Sequence, residues 1–177
     1  IHIGHYEVIA KGGIGLIIIE ATGISFPLSL TGPKRLIIDD DKFLPGFVEL
    51  AKVVNRHSCP AFLQLHHAGP SHSSKVSGHQ PVASSSMSLS ELPRKTYGPT
   101  RGLTPSEIED LVEKFANAAK RAQKAGFDGV EIHAAHGYLL NSFLSQAWNK
   151  RQDAYGGNLQ NRTRFLSEII YRIKDQV

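Results

Sequence analysis

The sequence predicts an α/β fold, a parallel sheet covered by helices. Three observations carry this. With 177 residues the chain is long enough for one domain with a real core. Three times a helical apolar pattern ends and a short β-rich run follows, and alternating elements of that kind imply a parallel sheet. No strand–turn–strand signal lies between those runs, as antiparallel neighbours would need.

In the first unit, helical residues around His5 to Lys11 end at Gly12-Gly13. Leu16-Ile17-Ile18-Ile19 then reads as a buried parallel strand, apolar on both faces. In the second unit Asp41 is the expected N-cap. Phe43, Phe47, Leu50, Ala51 and Val54 share a helical face, Pro60 stops the helix, and a strand follows from Ala61. The third unit is clearest. Thr104-Pro105-Ser106-Glu107 spells a capping box with proline at the first helical position. Ile108, Leu111, Val112, Phe115, Ala118, Ala119 and Ala122 recur at helical spacing, and Gly126 stands where a left-handed C-cap is wanted. Residues 130–133 follow as a strand. Phe165, Leu166, Ile169, Ile170 and Ile173 mark a fourth helix, with no strand before Val177.

The expected strands are therefore residues 16–21, 61–65 and 130–133, parallel and adjacent, with Gln64 and His133 at one end. A complete (β/α)8 barrel takes about 250 residues, so the units present fall short of one. A strand ahead of the first helix is expected to be missing. Residues 69–103 break the rhythm and are rich in Ser, Gly, Pro and His. Loops of that length are usually functional or disordered. This one leaves the C-terminal end of a strand, the active face of a barrel. It is expected to form a lid or small hairpin over the site, with a disordered insertion as the alternative.

Composition excludes some functions. The net charge is +4, and the basic residues form only short groups, Lys34-Arg35, Arg94-Lys95 and Lys150-Arg151. None is interleaved with aromatics, so nucleic acid is not an expected partner. No apolar run approaches the roughly 20 residues of a membrane helix, and no secretory leader is visible. The only methionine is Met87, so a natural start site is not expected here. The single cysteine, Cys59, has no partner for an internal disulfide, which fits a reducing, cytoplasmic location. Gly12-Gly13-Ile14-Gly15 precedes its strand, so it is no dinucleotide fingerprint.

The chemistry concentrates in Glu131-Ile132-His133-Ala134-Ala135-His136-Gly137-Tyr138. Strand alternation puts Glu131 and His133 on one face, and the loop beyond carries His136 and Tyr138. Spacing leaves three readings open. The two histidines could hold a metal, although no third ligand of suitable type lies nearby. They could be satisfied core residues. They could instead be paired donors to a substrate oxygen, with Tyr138 as the acid. His2, His5, His57, His72 and His79 show no ligand spacing and read as surface or loop residues. Arg151 and Asp153 read as a structural ion pair or a substrate contact, and Trp148 as a packing residue.

The run from Ala125-Gly126-Phe127-Asp128-Gly129 through Tyr138-Leu139-Leu140 resembles the central motif of the old yellow enzyme family, in the branch with 2,4-dienoyl-CoA reductases. Phe143-Leu144-Ser145, Asn149-Lys150-Arg151-Gln152-Asp153-Ala154-Tyr155-Gly156-Gly157, Asn161-Arg162 and Arg164-Phe165 continue it. The likeness extends from about Ala10 to Val177.

The resemblance implies a (β/α)8 TIM barrel of which residues 1–177 form a partial FMN-binding domain. The chain would hold about strands 2–4 with their helices, without the first strand and the C-terminal half. It implies an FMN-dependent enzyme passing hydride from NADH or NADPH through the flavin to an activated alkene. His133 and His136 would bind the substrate oxygen, and Tyr138 would donate the proton. Gln64, in Gln64-Leu65-His66-His67-Ala68-Gly69, would contact the flavin's pyrimidine edge. Ala21, in Glu20-Ala21-Thr22, would let the ring approach. Pro70 stands where the family commonly has Arg, Gln152 where it has Thr, and Ala154 where it has Glu. The family's later arginine and phosphate-binding loops fall outside these residues, as would the iron–sulfur cluster that some members carry. The expected partner is a small-molecule substrate, and open strand edges would admit a homo-oligomer. The rival functions are a non-catalytic barrel fragment that binds a partner or self-associates, and a metal-dependent hydrolase built on His133 and His136.

Overall fold

A computed structural model describes residues 2–93 and 98–177 of the chain; the Arg94-Lys95 group lies outside them. In chain order the elements are α1 (His2–Lys11), β1 (Ile17–Gly23), α2 (Leu44–Asn55), β2 (Ala61–His66), α3 (Ser74–Ser77), β3 (Val82–Ala83), β4 (Arg101–Gly102), α4 (Pro105–Lys124), β5 (Gly129–Ile132), α5 (Leu139–Leu144) and α6 (Leu159–Gln176). Strands β1, β2 and β5 form one parallel sheet in that order. Ile17 pairs with Ala61, and Gln64 with Glu131. Gln64 and the start of the His133 loop therefore stand at the same end of the sheet.

Side-chain alternation divides this sheet into two faces. Ile17, Ile19, Ala61, Leu63 and Leu65 are buried in the main core together with the apolar stripes of the helices. Ile18 departs from the expected strand buried on both faces: it is 44% exposed. The helices cover only the Ile17 and Ile19 side of β1, and the opposite side carries the site residues described below.

The apolar spacing of α4 buries Ile108, Leu111, Val112, Phe115, Ala118, Ala119 and Ala122. Its packing partner α6 buries Phe165, Ile169 and Ile173. Phe143 joins α5 to this layer, edge-on to Phe165 at 4.9 Å between ring centroids. Gly126 closes α4 at φ +88°, the left-handed conformation glycine adopts without a Cβ penalty.

At the other end of α4 the Thr104 hydroxyl accepts from Glu107 N, and the Glu107 carboxylate accepts from Thr104 N at 2.8 Å. That carboxylate also takes both terminal nitrogens of Arg101, each at 2.8 Å. The Arg101 hydrogen bonds hold it down to about 2, below the ordinary 4.5. A carboxylate with a depressed folded pKa contributes stability above its unfolded value and loses it as pH falls. The loss should therefore run from about pH 4.5 down to about 2. The pair is partly solvated, so the effect should stay below about 1 kcal/mol. Thr104→Ala should cost about 1 kcal/mol at neutral pH, read by denaturant melts. Glu107→Gln should flatten the acid limb of the same measurement.

The N-terminus of α2 differs from the expected Asp41 cap. A 3-10 turn over Asp41–Phe43 precedes the helix, and Asp40 caps that turn, its Oδ1 accepting from Lys42 N at 2.9 Å. The extra turn moves the cap back one residue. Asp41 instead receives Arg121 Nε at 2.6 Å, tying α2's entry to α4.

Between β2 and α4, strands β3 and β4 pair in parallel, and Met87 bridges Thr100 antiparallel. Ser84 N and Oγ bond Ser142 Oγ and O at 3.1 and 2.9 Å, which fastens this segment to α5. Arg151 donates to the carbonyls of Ser84 and Leu103 at 2.9 and 2.6 Å while paired with Asp153. His72, expected as a surface or loop residue, lies in a loop but is only 3% exposed. Its Nδ1 meets Leu30 O at 2.9 Å and its Nε2 meets Ser77 Oγ at 2.5 Å. The packing of this segment against the loop after β1 buries it. Trp148 is also buried.

Candidate active site

On the face away from the helices, β2 presents Phe62, Gln64 and His66, and the β5 side presents Glu131 and His133. Gln64 Nε2 donates to Glu131 Oε2 at 2.6 Å. His133 N donates to Leu65 O at 3.0 Å, adding one rung beyond β5 and setting His133 beside His66. Ala21 lies in a bulge of β1, where the register shifts between Ile19 and Thr22. Glu20 and Ala21 together therefore oppose Gln64, and Ala21 is half-buried.

The loop after β5 folds the remaining residues onto this layer. His136 takes φ +56°, a left-handed conformation uncommon for a side-chain-bearing residue. Asn141 holds the loop: Gly137 N donates to its Oδ1 at 3.0 Å, and its Nδ2 donates to Ala134 O at 3.3 Å. Tyr138 then opens α5, its carbonyl accepting from Ser142 N at 2.9 Å. Leu139 N donates to His67 O at 3.2 Å, joining the ends of β2 and α5.

Four rings pack as one cluster. His133 meets His136 at 5.2 Å and Tyr138 at 4.8 Å between centroids, both nearly perpendicular. His66 meets Tyr138 at 4.4 Å and His133 at 5.3 Å. His133 Nδ1 accepts from Ala135 N at 3.4 Å, which leaves its proton on Nε2 as a donor; His136 Nδ1 stands 3.5 Å from that nitrogen. Burial, and then the neighbouring His136, push the His133 imidazole below its ordinary range, while Glu131 pulls the other way. Two imidazoles and a phenol thus converge at the C-terminal end of parallel strands. A cleft of about 430 Å³ adjoins them, lined by Pro93, His136, Gly137, Asn141, Ser145, Ala147 and Trp148. A larger groove, about 870 Å³, runs along Glu109, Glu113 and Arg172 on the outer helical layer and touches none of these rings. Among the described residues no three His, Cys, Asp or Glu side chains gather as a metal-binding set.

Three further residues belong to this arrangement. Glu131 orients Gln64, Asn141 staples the loop, and His66 completes the ring cluster. Glu131, on the His133 face by strand alternation, and His66, two residues after Gln64 and so on the same strand face, were legible in the sequence; Asn141 was not. His66 and its neighbour His67 are buried, and burial lowers both imidazoles to about 3. An unfolded histidine titrates near 6.5. Between about 3 and 6.5 the unfolded chain binds protons that the folded chain refuses, so stability falls as pH drops through that window. The denaturation midpoint should be lower at pH 5 than at pH 7. His66→Phe should remove part of that difference, and equal midpoints at the two pH values would contradict it.

The family model for "NADH:flavin oxidoreductase / NADH oxidase" matches residues 1–177. The chain belongs to this family. Its relatives include an NADH oxidase of Thermoanaerobacter brockii, 44% identical over 99% of this chain and 26% of that protein. An NADPH dehydrogenase of Clostridium acetobutylicum is 42% identical over 98% of this chain and 49% of that protein. Among solved structures, the old yellow enzyme homologue from Zymomonas mobilis superposes with a TM-score of 0.89 at 37% identity, covering 99% of this chain and 50% of that one. The chain thus spans between about a quarter and a half of the proteins it matches.

The three parallel strands and their helices are part of the old yellow enzyme TIM barrel. Members are NAD(P)H-dependent oxidoreductases that use FMN. Among the described residues no helix is long and apolar enough to cross a membrane.

Proposed function

We propose that these residues form the substrate-facing part of an FMN-dependent enzyme that reduces an activated alkene, of enone or dienoyl-CoA type, at the expense of NADH or NADPH. The convergence of His133, His136 and Tyr138 at the C-terminal end of the sheet carries this reading. Bound FMN would supply the hydride that adds to the alkene's β-carbon. The chain's own residues handle the charge that follows. His133 and His136 donate to the carbonyl oxygen as it becomes negative, the term that fixed donors stabilise best. Tyr138 delivers the proton to the α-carbon.

The uncovered face suits a flat aromatic cofactor. At the bulge Ala21 offers only a methyl group opposite Gln64. With Nε2 of Gln64 held by Glu131, its Oε1 is left to accept from a ring N–H. The described residues of segment 69–103, fastened to α5 through Ser84 and Ser142, would serve as a lid over the site. A lone buried thiol at Cys59 supports a cytoplasmic setting.

The test uses the whole protein, reduced anaerobically with NADPH or NADH and mixed with 2-cyclohexenone. A yellow protein whose flavin is reoxidised by the enone is expected. A colourless protein that retains zinc would favour the hydrolase reading. Reoxidation by oxygen but by no enone or dienoyl-CoA would overturn the alkene as substrate.

A further inference from the structure

The ring cluster contains one imidazole that the proposed chemistry does not use. His66 is 3% exposed, and among the described residues neither ring nitrogen has a hydrogen-bond partner. A neutral imidazole carries one donor and one acceptor, and leaving such groups buried without partners is costly. Buried polar groups without partners are uncommon in folded proteins and call for an explanation. An apolar side chain at this position would avoid the cost.

Its placement supplies the explanation. His66 lies across the strand pair from His133, and its ring stands at 87° to the Tyr138 ring with centroids 4.4 Å apart. His133 contacts the same phenol at 74° and 4.8 Å. Tyr138 thus packs against two imidazoles that also contact each other at 5.3 Å, and one of them also touches substrate in the proposed reaction. Perpendicular ring pairs of this kind are directional contacts that add to simple burial. Burial, then His133 and Arg35, keep the His66 ring uncharged, so the contact remains ring against ring across neutral pH. Both nitrogens are shielded, so His66 acts through Tyr138 and does not touch the substrate.

We propose that His66 is a positioning residue for the proton donor: its ring packs edge-on against Tyr138 and fixes the direction of the phenol. This rests on the reading of Tyr138 as the acid. In the whole protein His66→Ala should slow enone-driven flavin reoxidation about 10-fold, leave reduction by nicotinamide within about 2-fold, and raise the solvent deuterium isotope effect on reoxidation. His66→Phe, which keeps a ring, should restore the rate to within about 3-fold. A fluorine-labelled tyrosine at position 138 reads the contact without turnover. Its ¹⁹F resonance should shift and sharpen in His66→Ala and return toward wild type in His66→Phe.

An unchanged ¹⁹F resonance in His66→Ala overturns the contact. A changed resonance with a wild-type reoxidation rate overturns its role in proton delivery. His66→Phe as slow as His66→Ala overturns ring packing as the cause and assigns the effect to the imidazole nitrogens. Equal slowing of both half-reactions marks a general structural defect and overturns the proposal as well. If Tyr138→Phe itself reoxidises at the wild-type rate, the acid assignment fails, whatever the His66 variants do. Should His66→Ala fold poorly, His66→Leu makes the same comparison with the volume retained.

Discussion

Tyr138→Phe in the whole enzyme should slow reoxidation of the reduced flavin by an enone about 10²-fold or more, the usual contribution of a positioned general acid. The ring contacts to His66 and His133 survive that change, because only the hydroxyl is lost. Flavin reduction by NADH or NADPH should change little, since no proton is delivered to substrate carbon in that half-reaction. His133→Ala should cost about 10²- to 10³-fold in the same reoxidation step, as loss of one oxyanion donor does. It should also weaken binding of a phenol used as a mimic of the substrate oxygen. Stopped-flow absorbance separates the two half-reactions. A wild-type reoxidation rate in Tyr138→Phe would assign the proton to another acid or to water. Wild-type rates and phenol affinity in both histidine variants would favour the core-packing reading of the pair.

Gly69→Ala should destabilise the protein by about 3 kcal/mol or more. Gly69 has φ +55°, and a Cβ there would lie 2.6 Å from both Cα and N of Leu139. A left-handed backbone on a side-chain-bearing residue costs about 1–3 kcal/mol, and overpacking typically adds another 1–3. The colliding atoms are backbone, at the start of the helix that Tyr138 opens, so the site cannot yield without moving the proton donor. Gly126→Ala provides the contrast. Gly126 also has positive φ, but its Cβ would meet nothing within 4 Å. It should cost only about 1–2 kcal/mol and leave the reoxidation rate unchanged. Urea denaturation of both variants decides the point, and comparable losses would show that the close approach to Leu139 contributes nothing.

The sequence by itself determined the helix–strand rhythm, the capping box of α4 and its buried stripe. Each depends on residues within a few positions of one another. Thr104 and Glu107 are three apart, and the residues from Ile108 to Ala122 repeat at the helical period. The motif from Glu131 to Tyr138 was legible for the same reason, being continuous in the chain. Its likeness to a known family narrowed what spacing left open, since two histidines three apart suit a metal, a core or an oxyanion.

Tertiary structure decided the rest. The six-residue α5 is too short for a periodic signal. The cap at Asp40 follows from an extra 3-10 turn, and the exposure of Ile18 from which face of β1 the helices cover. Gln64 and Glu131 meet across 67 intervening steps of sequence, and His66 and His133 are brought together by the same register. A one-residue slip between β2 and β5 would turn those side chains to the opposite face. Local sequence carries helix and strand preference. Strand register and the packing of rings from separate strands arise only when distant segments share one core, and those contacts assemble the four-ring site.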